Sequence, residues 1–270
     1  KGDDVRIDWG YGYIAADQQS FKQTISSKLN DIDVFNTSDN NTASGLQLWL
    51  NTISNPISIS ANKAKGLVLI GYDELYSVEY FHERLKPWWS LQNNNGFEDE
   101  LVNAYKEKNN RLISAKQLDS KIWNDAVASG GKDFAKLCVL AYRQSIAAHS
   151  LVKSLKTNEL LFLSKENFSN GSINTVDITY PSAPLYLTYA PKLLEGMLNG
   201  IFYFSESGQF KQDYAAHDLG TYPIANGQTY PEGMPVEESG NMIIATAALV
   251  KVNGNPSYAA KHWESLTRWV

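Results

Sequence analysis

The sequence predicts a mainly α chain preceded by a β-rich N-terminal segment, and three observations carry that reading. Up to about residue 80, β-branched and aromatic residues alternate between clusters of Asn, Ser, Asp and Gly, the pattern of short strands and loops. From about Phe97 the apolar period changes, with Leu101, Tyr105, Leu112 and Ile113 near helical spacing. Further on, prolines and the turn Asn253-Gly254-Asn255-Pro256 divide apolar-periodic stretches into pairs, which suggests an array of helical hairpins.

In chain order, Arg6 to Ile14 and Lys65 to Ile70 are the clearest strands, and Asp39-Asn40-Asn41-Thr42 reads as a loop tip. Phe134 to Leu155 carries apolar residues at three- and four-residue steps, so a helix is expected there, burying Leu137, Leu140, Ala141, Ile146 and Leu151. Leu160 to Leu163 and Thr175 to Thr179 read as short extended pieces. Pro181 to Tyr189 and Pro191 to Phe204 read as helices with proline in the first turn, where its missing N–H is no loss. Gly240 to Val252 and Ser257 to Val270 form a last helical pair. Residues 1–80 are thus expected as a β-rich segment leading into a helical-hairpin domain at 81–270. The chain opens on Lys1 rather than Met, and Trp263, Leu266, Trp269 and Val270 still mark an apolar face at its end, which suggests an excerpt cut at the C-terminus with its ring of hairpins open.

Composition narrows the function. A chain of 270 residues is long enough for one large core or two modest domains. With 29 acidic against 24 basic residues and no dense Lys/Arg run, nucleic acid is not an expected partner. No apolar run approaches the ~20 residues that span a bilayer. Cys138 is the single cysteine, within an apolar helical stretch, which excludes a disulfide framework and a Cys-rich metal site in this chain and predicts a buried, inert thiol. The histidines, His82, His149, His217 and His262, lack metal-ligand spacing, so neither metal nor cofactor is expected. No phosphate loop, dinucleotide fingerprint or Gly-x-Ser-x-Gly elbow occurs. Ser60 with Lys63 and Ser150 with Lys153 repeat a Ser-x-x-Lys spacing, but without the context that gives it meaning.

Acidic chemistry concentrates between His217 and Asn241. Asp218, Glu237 and Glu238 are the candidate catalytic groups, separated by a loop punctuated by Pro223, Gly227, Pro231 and Gly233 that would hold them at a rim. Paired carboxyls divide acid and base roles when their surroundings push their pKa values apart. The plain alternative is that Pro235 starts a helix and Glu237 and Glu238 complement its dipole. His217, Tyr222, Asn226 and Asn241 add polar groups to the stretch, and His217, Tyr222 and Asn241 are candidate substrate contacts. On a strand, His217 and Asp218 would point to opposite faces and need not touch. Arg143 is a candidate for holding a carboxylate with its planar fork. Asp73, with Glu74 and Glu79, forms a second acidic cluster among Tyr72, Tyr76 and Tyr80, which packing and capping where strands hand over to the first helix would equally explain, while Trp88 is one of several polar-flanked aromatics that could line a cleft, although fold packing explains most of them. Lys165 and Glu166 could meet a substrate carboxylate and ammonium, yet neighbouring opposite charges are commonly just solvated. Asp218 and one of the two glutamates should line one pocket with Tyr222 and Asn241. Asp218→Asn and Glu238→Gln should then each abolish turnover while leaving the thermal melt nearly unchanged.

Six segments in order resemble one family. Arg6-Ile7-Asp8-Trp9-Gly10-Tyr11, Gly71-Tyr72-Asp73-Glu74-Leu75-Tyr76-Ser77-Val78-Glu79-Tyr80-Phe81 and Ala141-Tyr142-Arg143-Gln144-Ser145-Ile146-Ala147-Ala148-His149 are similar to the glutaminase A-type family of bacteria and fungi. So are Ser164-Lys165-Glu166-Asn167-Phe168-Ser169-Asn170-Gly171, Ala216-His217-Asp218-Leu219-Gly220-Thr221-Tyr222-Pro223 and Met234-Pro235-Val236-Glu237-Glu238-Ser239-Gly240-Asn241-Met242. The resemblance implies that the helical part belongs to an (α/α)6 six-hairpin toroid. It implies completion by further C-terminal hairpins of the same protein, and hydrolysis of glutamine to glutamate and ammonia. A secreted or periplasmic location is expected. The local residues alone look more like a glycoside hydrolase, with two carboxyls and aromatic platforms for an oligosaccharide. A toroid that binds carbohydrate or peptide without turnover is the third reading, since fold alone does not fix function.

Overall fold

The computed structural model describes residues 9–17, 20–26, 49–55, 66–92, 95–166 and 170–270. The expected strand over Arg6 to Asp8, the loop tip at Asp39 to Thr42 and the Ser60/Lys63 pair lie outside them. The chain divides into two units, one of Gly10–Asp73 with Asn95–Lys108 and one of Lys1–Trp9, Glu74–Asn94 and Asn109–Val270.

The smaller unit is built on antiparallel pairs. Strand β1 (Tyr11–Ala16) pairs with β4 (Val68–Asp73), Tyr11 opposite Asp73, and β2 (Phe21–Ser26) pairs with β3 (Trp49–Ser54). The first turns of helix α2 (Phe97–Ala147) complete it. Gly71 permits that packing, because a Cβ there would lie 2.7 Å from the Phe97 ring and 3.1 Å from Leu101. Phe97 also meets Tyr13, ring centroids 4.8 Å apart.

In the larger unit, α2 continues as expected from Phe97 but kinks at Gly131, whose φ of 84° and ψ of −178° are not helical. Its apolar residues form two stripes, and packing selects the one that periodicity could not. Ile122, Ala126 and Ala135 are buried and Ile146 packs on the core. Leu137 and Leu140 are 66% and 52% exposed, and Ala141 is exposed too, contrary to expectation. Cys138 is half-buried rather than buried.

The helix also stops short of Leu155. His149–Lys153 is strand β7, antiparallel to β8 (Leu160–Ser164), with His149 opposite Ser164. The turn explains the switch: the Ser154 hydroxyl accepts the Thr157 N–H, Asn158 takes φ 61°, and the Ser154 N–H reaches the Glu159 carbonyl at 2.9 Å. Ladder pairing with β8 overrides the helical spacing, and Leu151 ends half-buried against the core.

β8 is buried through Leu161, Phe162 and Leu163, matching its uninterrupted apolar run. Helix α4 (Pro191–Glu206) lies on it, close enough that a Cβ on Gly196 would meet the Phe162 backbone at 3.1 Å. Helix α3 (Val176–Tyr189) starts before its prolines and runs through Pro181 and Pro184, so Thr175 to Thr179 is a cap and first turn, not an extended piece. Hydroxyls bond back along the helix, Ser182 donating to the Thr179 carbonyl and Thr188 to the Pro184 carbonyl.

Helix α5 (Pro235–Asn253) opens with proline in its first turn and closes at Gly254, left-handed at φ 63°, as the Asn-Gly turn predicts. It packs on α3 and α4. The final stretch breaks into α6 (Ser257–Lys261) and α7 (Trp263–Arg268) at His262, whose ring stacks on Phe202 at 3.9 Å while Nδ1 bonds Glu206. Leu266 and Trp269 are buried, Trp269 stacking on Phe202 at 5.5 Å, whereas Trp263 is 63% exposed. A small sheet of β5 (Val78–Tyr80), β6 (Glu83–Leu85) and β9 (Ile224–Ala225) anchors the segment between α4 and α5. Among the described residues no helix is long and apolar enough to cross a membrane.

Candidate active site

The segment between α4 and α5 carries little regular structure and is organised by Asp218, which has no exposed surface. Its Oδ1 accepts the Gly220 N–H at 2.8 Å and the Thr229 N–H at 3.0 Å, and its Oδ2 accepts the Tyr230 N–H at 3.1 Å. Oδ2 also lies 2.9 Å from Nδ1 of His217. Gly220 must be glycine: φ is 140° and a Cβ would sit 2.2 Å from the Ile224 carbonyl oxygen. These donors occupy both oxygens of Asp218, which ties the loop and the His217 ring together.

That arrangement fixes His217. A carboxylate only accepts, so Nδ1 carries the hydrogen and Nε2 is the free end of the neutral ring. The ring stacks on Tyr230, centroids 4.2 Å apart, and the His217 N–H is taken by Gln228. Adjacent residues touch here because the chain turns instead of running as a strand. Nε2 then faces two carboxyls, Glu238 Oε1 at 3.8 Å and Asp177 Oδ2 at 3.9 Å. Burial favours the neutral imidazole, but the hydrogen bond and charge of Asp218, with Glu238 and Asp177, outweigh it and raise the pKa above the ordinary histidine value.

Glu238 lies in the first turn of α5 with no exposed surface, and neither carboxyl oxygen has a hydrogen-bond partner. Burial first, then the charge of Asp177, raises its pKa to about 8, against the lowering effects of His217 and Asn241. Glu237 is exposed, so of the two glutamates only Glu238 is brought beside His217. Asp177, in the first turn of α3, is the group that sequence reasoning missed; its Oδ1 is buried without a partner. An acid just after Thr175 and before an apolar run is a helix-start signal, hidden by reading that stretch as extended. Glu166 stands in the same field: burial, then Asp177, raises its pKa, with smaller effects from His217 and Asp218.

The other candidates are dispersed. Asn241, one turn on from Glu238, approaches its carboxyl closely enough to favour the ionised form but does not complete a hydrogen bond. Tyr222 packs on the core with Lys165 Nζ 5.1 Å from its ring centroid. Asn226 is structural, donating to Glu79 at 2.6 Å and accepting the His82 N–H at 2.8 Å. Arg143 pairs with Asp119 across the break at Gly131, one residue on each helical segment of α2, and Trp88 opens the short helix α1 (Trp88–Gln92). Asp73 ends β4 in the smaller unit. Ser150 and Lys153 lie three apart on β7 and therefore point to opposite faces, which rules out their pairing.

Asp177, His217 and Glu238 offer one ligand atom each, all within 4.8 Å of one another, a set that could hold a divalent cation with Asp218 supporting the imidazole from behind. The three come from separate elements, so no ligand spacing shows in the sequence. The same atoms form a proton-transfer set: an imidazole between two carboxyls, one held toward its neutral form. Two of the three groups, Asp177 and Glu238, stand in the first turns of helices α3 and α5, and the set is suited to acid/base chemistry.

The chain belongs to the glutaminase A family. Residues 131–270 match the family model described as the glutaminase A six helical-hairpin domain, and residues 1–125 match one described as a domain of unknown function (DUF5127). Glutaminase A of Aspergillus oryzae (strain ATCC 42149 / RIB 40) is 36% identical over 160 residues, covering 57% of this chain and 23% of that protein. A probable glutaminase of Arthroderma benhamiae (strain ATCC MYA-4681 / CBS 112371) is 35% identical over 173 residues, covering 62% of this chain and 19% of that protein. The chain therefore spans about a fifth of the length of these relatives.

Proposed function

We propose that this chain carries the amide-hydrolysing site of a glutaminase, within a helical domain that forms part of an (α/α)6 six-hairpin toroid. The observation that carries the reading is the unpartnered, fully buried carboxyl of Glu238 facing Asp177 across Nε2 of His217. Asp177 takes a proton from the water that attacks the carboxamide carbon. Glu238, neutral, gives its proton to the nitrogen as the C–N bond breaks, releasing ammonia and leaving glutamate. His217 lies between them and returns the proton from Asp177 to Glu238, while Asp218 holds the ring.

Ammonia release from glutamine by the full-length protein tests this. Glu238→Gln and Asp177→Asn should each lower kcat by about 10²–10⁴-fold, the usual contribution of a positioned acid or base. Wild-type turnover in both variants would overturn the assignment. Reducing sugar released from oligosaccharides, with no ammonia from glutamine, would select the glycosidase reading instead. The compact donor set favours one variation, metal-assisted hydrolysis. Activity lost on chelation and restored by zinc would select it.

A further inference from the structure

A cavity of about 710 Å³ opens where the end of α2, β8 and α3 meet, lined among others by Gln144, His149, Ser164, Lys165, Glu166 and Ser182. Its polar groups have an unusual bias. His149 Nδ1 lies 2.5 Å from the Ser145 carbonyl oxygen, which only accepts, so Nδ1 carries the hydrogen and Nε2 presents a bare lone pair. Burial drives the ring's pKa down to about 4, against the pull of that carbonyl, and keeps the ring neutral. Stacking on Phe162 at 4.3 Å and an edge contact with Tyr186 at 5.8 Å fix its plane. Nε2 is buried with no hydrogen-bond partner.

Ser164 stands opposite His149 in the β7–β8 ladder, is 1% exposed, and its Oγ also lacks a partner. Glu166 lines the same cavity and adds a carboxyl whose pKa burial raises, with the charges of Asp177 and Asp218 adding to the effect. An imidazole lone pair, a hydroxyl oxygen and a carboxyl in a negative field are acceptors for a group with several N–H donors and a positive charge. A primary ammonium carries three donors and no acceptor.

We propose that this cavity is a subsite for a primary ammonium group of the substrate, accepted by Glu166, His149 Nε2 and Ser164 Oγ. On the amide-hydrolase reading, on which this rests, the group is the α-ammonium of glutamine. The site would thereby select free amino acids over amides that lack the amine.

The test compares glutamine with glutaramate, which has hydrogen in place of the α-ammonium, in the full-length protein. Wild type should prefer glutamine in kcat/KM, and Glu166→Gln should shrink that preference by at least ~10-fold, the worth of a hydrogen bond to a charged group. Ser164→Ala, a smaller change, should shrink it less. An unchanged preference in Glu166→Gln, or none in the wild type, overturns the subsite while leaving the amide-hydrolase reading intact. A second arm titrates L-glutamate and glutarate by calorimetry. Should the wild type release no ammonia yet bind L-glutamate over glutarate in a Glu166-dependent way, the subsite stands and the amide-hydrolase reading falls. Equal affinities for the two diacids in wild type and variant sink the subsite.

Discussion

A carboxyl with no exposed surface and no hydrogen-bond partner must be neutralised or meet a cation, because an isolated buried charge is too expensive. Glu238 is such a group, and its raised pKa makes stability depend on pH. The folded protein keeps a proton that the unfolded chain releases, so stability falls as pH rises from about 4.5 to about 8, by up to ~1.4 kcal/mol per pH unit. His217 works in the same direction: its folded pKa is raised, so the stability it gives below about 6.5 is lost at higher pH. His149 works in the opposite one, since its folded pKa of about 4 penalises the fold as pH drops below about 6.5. Melting temperature should therefore peak on the mildly acidic side, and Glu238→Gln should flatten the alkaline decline. An unaltered decline in that variant would assign it elsewhere. The buried contacts of Asp218 carry a stability prediction of their own. Asp218→Asn turns an N–H₂ toward backbone donors, breaking a buried charge-assisted network, and should lower the unfolding free energy by roughly 3 kcal/mol in urea titrations. Turnover should be lost together with the fold's stability, not independently of it.

At the scale of elements, the segment between α4 and α5 depends on one backbone conformation. Gly220→Ala combines a φ of 140° with a Cβ 2.2 Å from the Ile224 carbonyl oxygen, and should cost at least ~1–3 kcal/mol and disturb the His217 ring, seen as a lowered melt and lost Nδ1–H signal. The elements legible in the sequence are those fixed by local chemistry. The Gly254 cap, the proline openings of α4 and α5 and the apolar run of β8 each follow from a few neighbouring residues. Elements decided by packing were not legible. Leu137 and Ala135 lie on competing stripes of α2, β7 forms only because β8 pairs with it, and α3 runs through prolines that read as its start. The site divides along the same line. His217, Asp218 and Glu238 crowd one polar stretch and could be singled out, whereas Asp177 arrives from α3, and only folding brings it to within 3.9 Å of His217 Nε2.

At the scale of the molecule, the larger unit is held by an aromatic centre. Phe202, fully buried on α4, stacks on His262 at 3.9 Å and Trp269 at 5.5 Å and meets Tyr258 edge-on at 6.1 Å. Phe202→Ala should cost about 3–5 kcal/mol, with the last two helices loosening first, as limited proteolysis near His262 would report. A melt within 1 °C of wild type would show that this centre contributes little. The described surface also leaves large apolar side chains of α2 in water, Leu137 and Leu140 among them, where the sequence reading had placed core. Asp218 has one more consequence. The amide protons of Gly220, Thr229 and Tyr230 all end on a single carboxylate without solvent contact, although these residues are spread along an irregular loop. None can reach deuterated water until that carboxylate lets go. In hydrogen–deuterium exchange the three should become labelled together, at one rate, far more slowly than loop amides do. That shared rate reports how often the site around His217 comes apart, with no substrate required.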